Sequence, residues 1–317
     1  MRRLLITCLL GALSLGALVP ATASAVTVGI SDQQSATFDN PLFKPLKLKV
    51  ARYIAPYDVL DDPAQKAKLD DWIAGARRAK VKILLSVERS RREGRHNHAP
   101  STSEYKRQLQ RIKKAYGKYI ESFSAWNEVN VCQAKGRTEG QPSKICRNAT
   151  GPKLVASYYK IARSVFKGKK IVGLDILDGV NVGGAVSYLR KFKRYAKPLP
   201  KYWGIHNYSD TNRGSTSRTQ RLIKEIGSKS AKVWLTETGG QLKLRGRWYG
   251  EARAAKALRC MFYMPKKFKQ IDRLYIYNFW GTDDQYDFDA GLVSVDGTTK
   301  RAGYAVVQKR QSKRCGS

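Results

Sequence analysis

The sequence predicts an α/β fold, a single-domain (β/α)8 TIM barrel, and three observations lead there. Short apolar runs alternate with amphipathic stretches, eight such runs occur, and no linker, repeat or low-complexity segment divides the chain. Residues 26–317 also match the size of one barrel with modest loops. An open doubly wound sheet is the alternative, but no Gly-x-Gly-x-x-Gly follows the first run and no phosphate-binding loop occurs.

Taken in order, the chain begins with Arg2 and Arg3 ahead of an apolar run from Leu4 to Val19, and Ala23, Ser24 and Ala25 supply a small-residue cleavage site. Residues 1–25 are therefore expected to be a secretory signal peptide and 26–317 the barrel. A membrane anchor is the competing reading, but the run is short for a span of about 20 residues and ends in proline. No later stretch has the length and apolarity to span a bilayer, and Cys8, early in the run and preceded by Thr7, does not fit a lipid-attachment site.

Strands are expected near 26–30 and 48–54. Asp62 and Pro63 then open a helix bearing Leu69, Trp72, Ile73 and Ala76 at helical spacing. A third strand near 81–87 leads to Ser101-Thr102-Ser103-Glu104, a capping box ahead of Leu109, Ile112 and Tyr116. The fourth strand falls near 120–125. Pro152 opens a helix expected to bury Leu154, Tyr158, Ile161 and Val165, with Gly168 closing it. Strands near 170–174, 202–206, 232–235 and 273–279 complete eight, a number that implies closure.

Four cysteines remain once the leader is removed: Cys132, Cys146, Cys260 and Cys315. An even number in an exported chain suggests two disulfides. Of three pairings, Cys132 with Cys146 and Cys260 with Cys315 is the most economical, the first closing a loop after Glu128 and the second tying the tail to a late helix. A bridge closing a loop of the first size contributes about 3 kcal/mol. No Cys-x-x-Cys spacing occurs and the three histidines stand apart from the cysteines, so no metal is expected.

Barrel chemistry sits at the C-terminal ends of the strands. The first polar residues there are Asp32, Arg52, Glu88, Asn127 with Glu128, Asp175 or Asp178, His206 with Tyr208, Glu237 and Trp280. Two acids, several hydrogen-bonding groups and an aromatic face suit a sugar. Glu128 lies in Trp126-Asn127-Glu128-Val129-Asn130, and Glu237 in Trp234-Leu235-Thr236-Glu237-Thr238-Gly239-Gly240.

With these motifs in phase, the chain resembles a clan A glycoside hydrolase, a retaining (β/α)8 enzyme with one catalytic glutamate after strand four and the other after strand seven. Asn127-Glu128 resembles the clan's Asn-Glu acid/base motif, Glu237 its nucleophile, Arg52 its strand-two arginine, His206-Asn207-Tyr208 its strand-six motif and Trp280 its strand-eight tryptophan. The segment from Leu292 to Tyr304 resembles the usual end of these barrels. Val129 departs from the pattern, standing where many members carry proline, and this blurs the family within the clan.

The resemblance implies carboxyl groups about 5–5.5 Å apart, direct attack and retention of anomeric configuration. Glu128 would be protonated at rest because the Glu237 charge raises its pKa, and would act first as acid and then as base. Arg52 and Tyr208 would keep Glu237 ionised, Asn127 would hold the sugar 2-hydroxyl, His206 would line the site and Trp280 would lie under the ring. No cofactor is expected. A transglycosylase would use the same residues with a sugar hydroxyl as acceptor. Plainer roles compete: a rim salt bridge for the glutamates, a core histidine, a packing tryptophan. Trp203, Trp234 and Trp248 are read as packing or distal subsites. The segment 88–98, with Arg89, Arg91, Arg92, Arg95, His96 and His98, is expected to border the cleft and read substrate charge.

The chain carries a net charge of +35, and +33 once Arg2 and Arg3 leave with the signal peptide. Its basic residues are spread along the whole length, as a general field. An anionic partner outside the cell fits, such as a cell-wall polymer or uronic-acid polysaccharide; retention at a negative surface is the plainer account. Nucleic acid is not expected, because no recognition motif occurs and strand-end acids repel phosphate. A secreted basic barrel that binds glycans without turnover is the alternative function, and a monomer is expected.

Overall fold

The computed structural model describes residues 26–96, 98–131, 150–179 and 181–316. The expected leader, Cys132 and Cys146 lie outside these residues. Eight parallel strands close into a barrel: β1 (Thr27–Ser31), β2 (Val50–Pro56), β3 (Lys82–Glu88), β4 (Ile120–Ser124), β5 (Lys170–Leu177), β6 (Tyr202–His206), β7 (Lys232–Thr238) and β10 (Ile271–Ile276). Each pairs with its neighbour in sequence, and β10 pairs back onto β1 with Thr27 opposite Arg273 and Ile30 opposite Ile276. Every expected strand forms, most with shifted bounds. The shifts carry β2, β3, β5 and β7 further at their C-terminal ends.

Helices α1 (Pro63–Arg78), α2 (Thr102–Tyr116), α3 (Pro152–Val165), α4 (Val182–Tyr195), α5 (Tyr208–Arg213), α6 (Ser217–Ile226), α7 (Glu251–Lys267) and α8 (Ala302–Gln308) accompany the strands. A small antiparallel sheet of β8 (Lys243–Leu244), β9 (Arg247–Trp248) and β11 (Phe288–Asp289) follows the ends of β7 and β10. Asp62 caps α1 by accepting from the amides of Ala64 and Gln65, and Leu69, Trp72, Ile73 and Ala76 are buried as their spacing requires. Only half of the capping box at α2 forms. Ser101 accepts from the Glu104 amide, but the Glu104 carboxylate turns to Tyr57 and Arg95 instead. In α3 the buried face is rotated from expectation: Tyr158 and Val165 are inside, but Val155, Tyr159 and Ala162 are buried where Leu154 and Ile161 are only partly covered.

One large core fills the space between strands and helices, and a second, small one fills the barrel itself with Val50, Leu84, Val172, Trp234 and Tyr275. Side chains alternate along each strand, so the inward position two residues on carries Arg52, Ser86 and Thr236. The layer nearest the mouth is thus polar, and at the other end Arg273 pairs with Glu121 and lies 4.1 Å over the Trp234 ring. Cys260 on α7 is bonded to Cys315 in the tail, as the economical pairing expects. Trp203 and Trp234 are fully buried packing residues, whereas Trp248 is exposed. Among the described residues no helix is long and apolar enough to cross a membrane.

Candidate active site

The site is built outward from Arg52, whose side chain is entirely buried at the mouth of the barrel. Its Nη1 donates to Glu237 Oε1 at 2.6 Å; its Nη2 donates to Asp175 Oδ2 at 3.0 Å and to Asn127 Oδ1 at 2.8 Å. Ser31 and Ser86 hydroxyls lie 3.2 Å from the same fork. A planar guanidinium with fixed donors suits such a hub, which ties β2, β4, β5 and β7 together. Burial works against its charge, but Asp175 and then Glu237 prevail and push its pKa up.

Asp175 sits beneath this hub. Oδ2 accepts from Ser86 and Ser124, and Oδ1 from Thr236 at 2.7 Å. Burial works to raise its pKa, yet the Arg52 and His206 charges and these hydroxyls hold it below the ordinary aspartate value. The opposing residue on β6 is Gly204, and a Cβ there would stand 1.9 Å from Asp175 Oδ1. Glycine leaves the room that the carboxylate occupies.

Glu128 and Glu237 face each other across His206. Its Nδ1 is 3.1 Å from Glu128 Oε1 and 3.7 Å from Glu237 Oε2. One ligand atom of each of these three residues lies within 4.8 Å of the other two. Such spacing also suits a cation, but Arg52 already holds one oxygen of Glu237. The second Glu237 oxygen accepts from Tyr208 at 3.2 Å.

The Glu128 side chain is 18% exposed, and its pKa is raised above the ordinary glutamate value. Burial is the main cause; His206 opposes it, and the charges of Glu237 and Glu88 add to it. The neighbouring glutamate is thus a secondary cause, where the sequence pointed to it first. His206 is raised as well: burial lowers it, and the Glu237 and Glu128 charges outweigh that. One acid locked in an ion pair beside another pushed toward its protonated form is the division of labour that acid and nucleophile roles require.

Backbone geometry holds Glu128 in place. It adopts a φ of 40°, uncommon for a residue with a side chain and costing of order 1–3 kcal/mol. Hydrogen bonds on both sides fix that shape: the Asn127 amide donates to Val87 O, and the Val129 amide to Asp175 O. Asn127 also donates to Glu88 Oε2 at 3.1 Å, so its two side-chain atoms are engaged by Glu88 and Arg52.

Other strand-end residues take different places. Trp280 points toward the β1 side, donating to Thr37 Oγ1 at 2.7 Å and packing edge-on to Phe279. The ring beside the acids is Tyr277, in contact with Tyr208 and Phe288 and raised in pKa by burial and then by the Glu237 charge. The apolar run through 273–279 gave no sign of which aromatic would turn inward. Asp32 is a buried latch that accepts from the Phe279 amide, and Asp178 accepts from the Ser209 and Asp210 amides at the start of α5.

The arginines of the 88–98 segment are engaged by other residues of the chain, though Arg91, Arg92 and Arg95 stay about a third exposed. Arg89 is buried and donates to Thr150, Arg91 pairs with Glu88, Arg92 with Asp61 and Arg95 with Glu104. His98 is spent on Tyr57 and Arg95. Carboxylates hold three of the four arginines, Glu88 from within the segment and Asp61 and Glu104 from outside it.

No family model and no curated sequence matches the chain. Solved structures do. A family 39 glycoside hydrolase from the gut symbiont Bacteroides cellulosilyticus WH2 aligns over 93% of this chain, with a TM-score of 0.65 and 14% identity; the chain spans 65% of that one. A psychrophilic family 10 endo-β-1,4-xylanase aligns over 90% of this chain and 96% of its own, with a TM-score of 0.64 and 13% identity. A family 5, subfamily 18 protein from Streptomyces cattleya, in complex with GlcNAc, aligns over 91% and 80%, with a TM-score of 0.64 and 13% identity. At these identities the likeness establishes the fold: a (β/α)8 barrel of the kind found in several clan A glycoside hydrolases.

Proposed function

We propose that the protein is a secreted retaining glycoside hydrolase, with Glu128 as acid/base and Glu237 as nucleophile. One observation carries this reading: an oxygen of Glu128 lies within 4.8 Å of an oxygen of Glu237, which suits the short spacing of retaining pairs, about 5–5.5 Å, in unlike surroundings. Glu128 donates its proton to the departing glycosidic oxygen while Glu237 attacks the anomeric carbon, forming a glycosyl ester. Glu128, now without its proton, takes one from water, which cleaves the ester with a second inversion.

Arg52 and Tyr208 aim the Glu237 oxygens, His206 holds Glu128, and Asn127 lies beside them for the sugar 2-hydroxyl. Trp280 keeps a place at the rim on the β1 side, and Tyr277 is the ring that underlies the sugar. The likeness to glycoside hydrolases of families 39, 10 and 5 supports the reaction class, and the charge of +35 supports an anionic wall or matrix glycan as substrate.

The test incubates purified protein lacking residues 1–25 with neutral and acidic polysaccharides, beside Glu128→Gln and Glu237→Gln, with products read by mass and by proton NMR. Cleavage by the parent alone, with the first-formed anomer matching the substrate, is the expected result. Binding without cleavage by all three proteins would instead favour the glycan-binding barrel.

A further inference from the structure

We propose that a cation-lined hollow outside the barrel, beneath the C-terminal tail, is a second binding site that takes an anionic sugar unit bearing a phosphate, sulfate or carboxylate. The hollow lies between the end of α5, the outer face of α7 and the tail, and it measures about 360 Å³. Small-molecule sites fall at about 300–1,000 Å³, so a charged pyranose fits where a bare oxyanion would leave most of the space to water.

Its lining includes Arg213, Arg253, Lys256, Lys313 and Arg314, with no aspartate or glutamate. Among the described residues, no ion pair engages Arg213, Arg253, Lys256 or Lys313. Those four side chains repel one another, and an incoming anion removes that cost.

Arg253 gives the hollow a fixed element. Its guanidinium lies 4.0 Å over the Tyr249 ring, and Nη2 donates to Asn212 O at 3.1 Å. Nη1 is shielded from water and so out of reach of a ligand in the hollow, where the guanidinium acts through its charge. Stacking on a ring and a backbone hydrogen bond prepay the side-chain ordering that binding would otherwise cost.

Two further features define the site. The bond between Cys260 and Cys315 brings the tail, and with it Lys313, against α7. On the inner side, Thr211 lies 3.3 Å from Thr238 through their hydroxyls, and Asn212 donates to Gly239 O at 2.8 Å. The hollow therefore backs onto the residues that follow Glu237, yet it shares no side chain with the carboxylate pair and does not depend on turnover.

A second hollow at the start of β5, lined by Lys160, Arg163, Lys167, Lys169 and Lys197, supplies a control of matched charge. Calorimetry on the Glu237→Gln protein, at fixed ionic strength, would use glucose 6-phosphate, glucuronic acid, inorganic phosphate and glucose as probes. The expected result is binding of the charged sugars but not of glucose. Affinity should weaken at least about tenfold in Arg253→Gln/Lys256→Glu and hold steady in Lys160→Glu/Lys167→Glu. Arg213→Glu/Lys313→Glu, both exposed side chains, repeats the test from other walls should the first pair misfold. Equal loss from the control pair would reduce the effect to the general field and overturn the site. Equal binding of inorganic phosphate would overturn the sugar, and absence of binding by every anion would overturn the proposal whole.

Discussion

Asp175 on β5 and Arg52 on β2 form an ion pair of 3.0 Å in which neither side chain is exposed. Arg52 passes that constraint to Glu237, so the aim of one candidate catalytic carboxylate is set by another carboxylate on a different strand. Three hydroxyls and a glycine on β6 exist to seat Asp175 there.

Replacing Asp175 by Asn should therefore be costly for the fold. Removing one partner of a buried pair leaves uncompensated charge, at about 3–5 kcal/mol; Arg52 keeps Glu237, which places the expected loss near the lower figure, ~3 kcal/mol. The midpoint of urea unfolding measures it, and a loss below about 1 kcal/mol would show that Glu237 and Asn127 suffice to hold Arg52.

The two glutamates should separate by leaving group. A substrate whose leaving group departs as a stable anion needs no proton, so Glu128→Gln should lose about 10²- to 10⁴-fold on ordinary glycosides but far less on an activated aryl glycoside. Glu237→Gln should fall to background on both. Initial rates on the paired substrates check this; similar losses for both variants on the aryl glycoside would reverse or remove the assignment.

Stability should fall as pH rises above the ordinary glutamate range. Glu128 keeps its proton in the folded state at pH values where the unfolded chain has released it, so folding binds a proton and weakens with rising pH. His206 works in the same direction: its raised folded value gives stability that is present below the unfolded value and lost as pH rises through the folded one. Glu128→Gln keeps the acceptor facing His206 and removes the carboxylate, so the variant should be more stable by ~1 kcal/mol at neutral pH, and closer to the parent in acid. Thermal midpoints across pH give the comparison.

The bridge between Cys260 and Cys315 closes a loop with a sequence separation of 55. Cross-links of that span contribute about 2–4 kcal/mol by restricting the unfolded chain. Cys260→Ser/Cys315→Ser should lower stability by that amount in chemical unfolding, with the carboxylate pair undisturbed.

Much of the barrel was legible because its signals are local. Eight apolar runs and two capped helices follow from spacing and from Asp62, Pro63 and Ser101 alone. Arg52, Asn127, Glu128, His206, Tyr208 and Glu237 were reachable because a parallel barrel gathers its strand ends in one place, and the structure does bring these six together. What escaped was set by tertiary neighbours. Glu104 leaves its capping box because Tyr57 and Arg95 compete for it. The arginines of 88–98 are drawn to Asp61, Glu88 and Glu104. Tyr277 rather than Trp280 faces the acids because Thr37, far away in sequence, captures the Trp280 indole. Asp175 was named only as one of two choices, since nothing along the chain reveals that Gly204 makes room for it.

The pairing of β1 with β10 gives the barrel a seam whose two edges are synthesised at opposite ends of the chain. Until residues 271–276 exist, β1 and β7 each offer a row of unpaired amides and carbonyls, a template for strands of other molecules. A product ending before Ile271 would then be an aggregation nucleus and not a partly folded barrel, and nascent chains would need shelter until the last strand arrives.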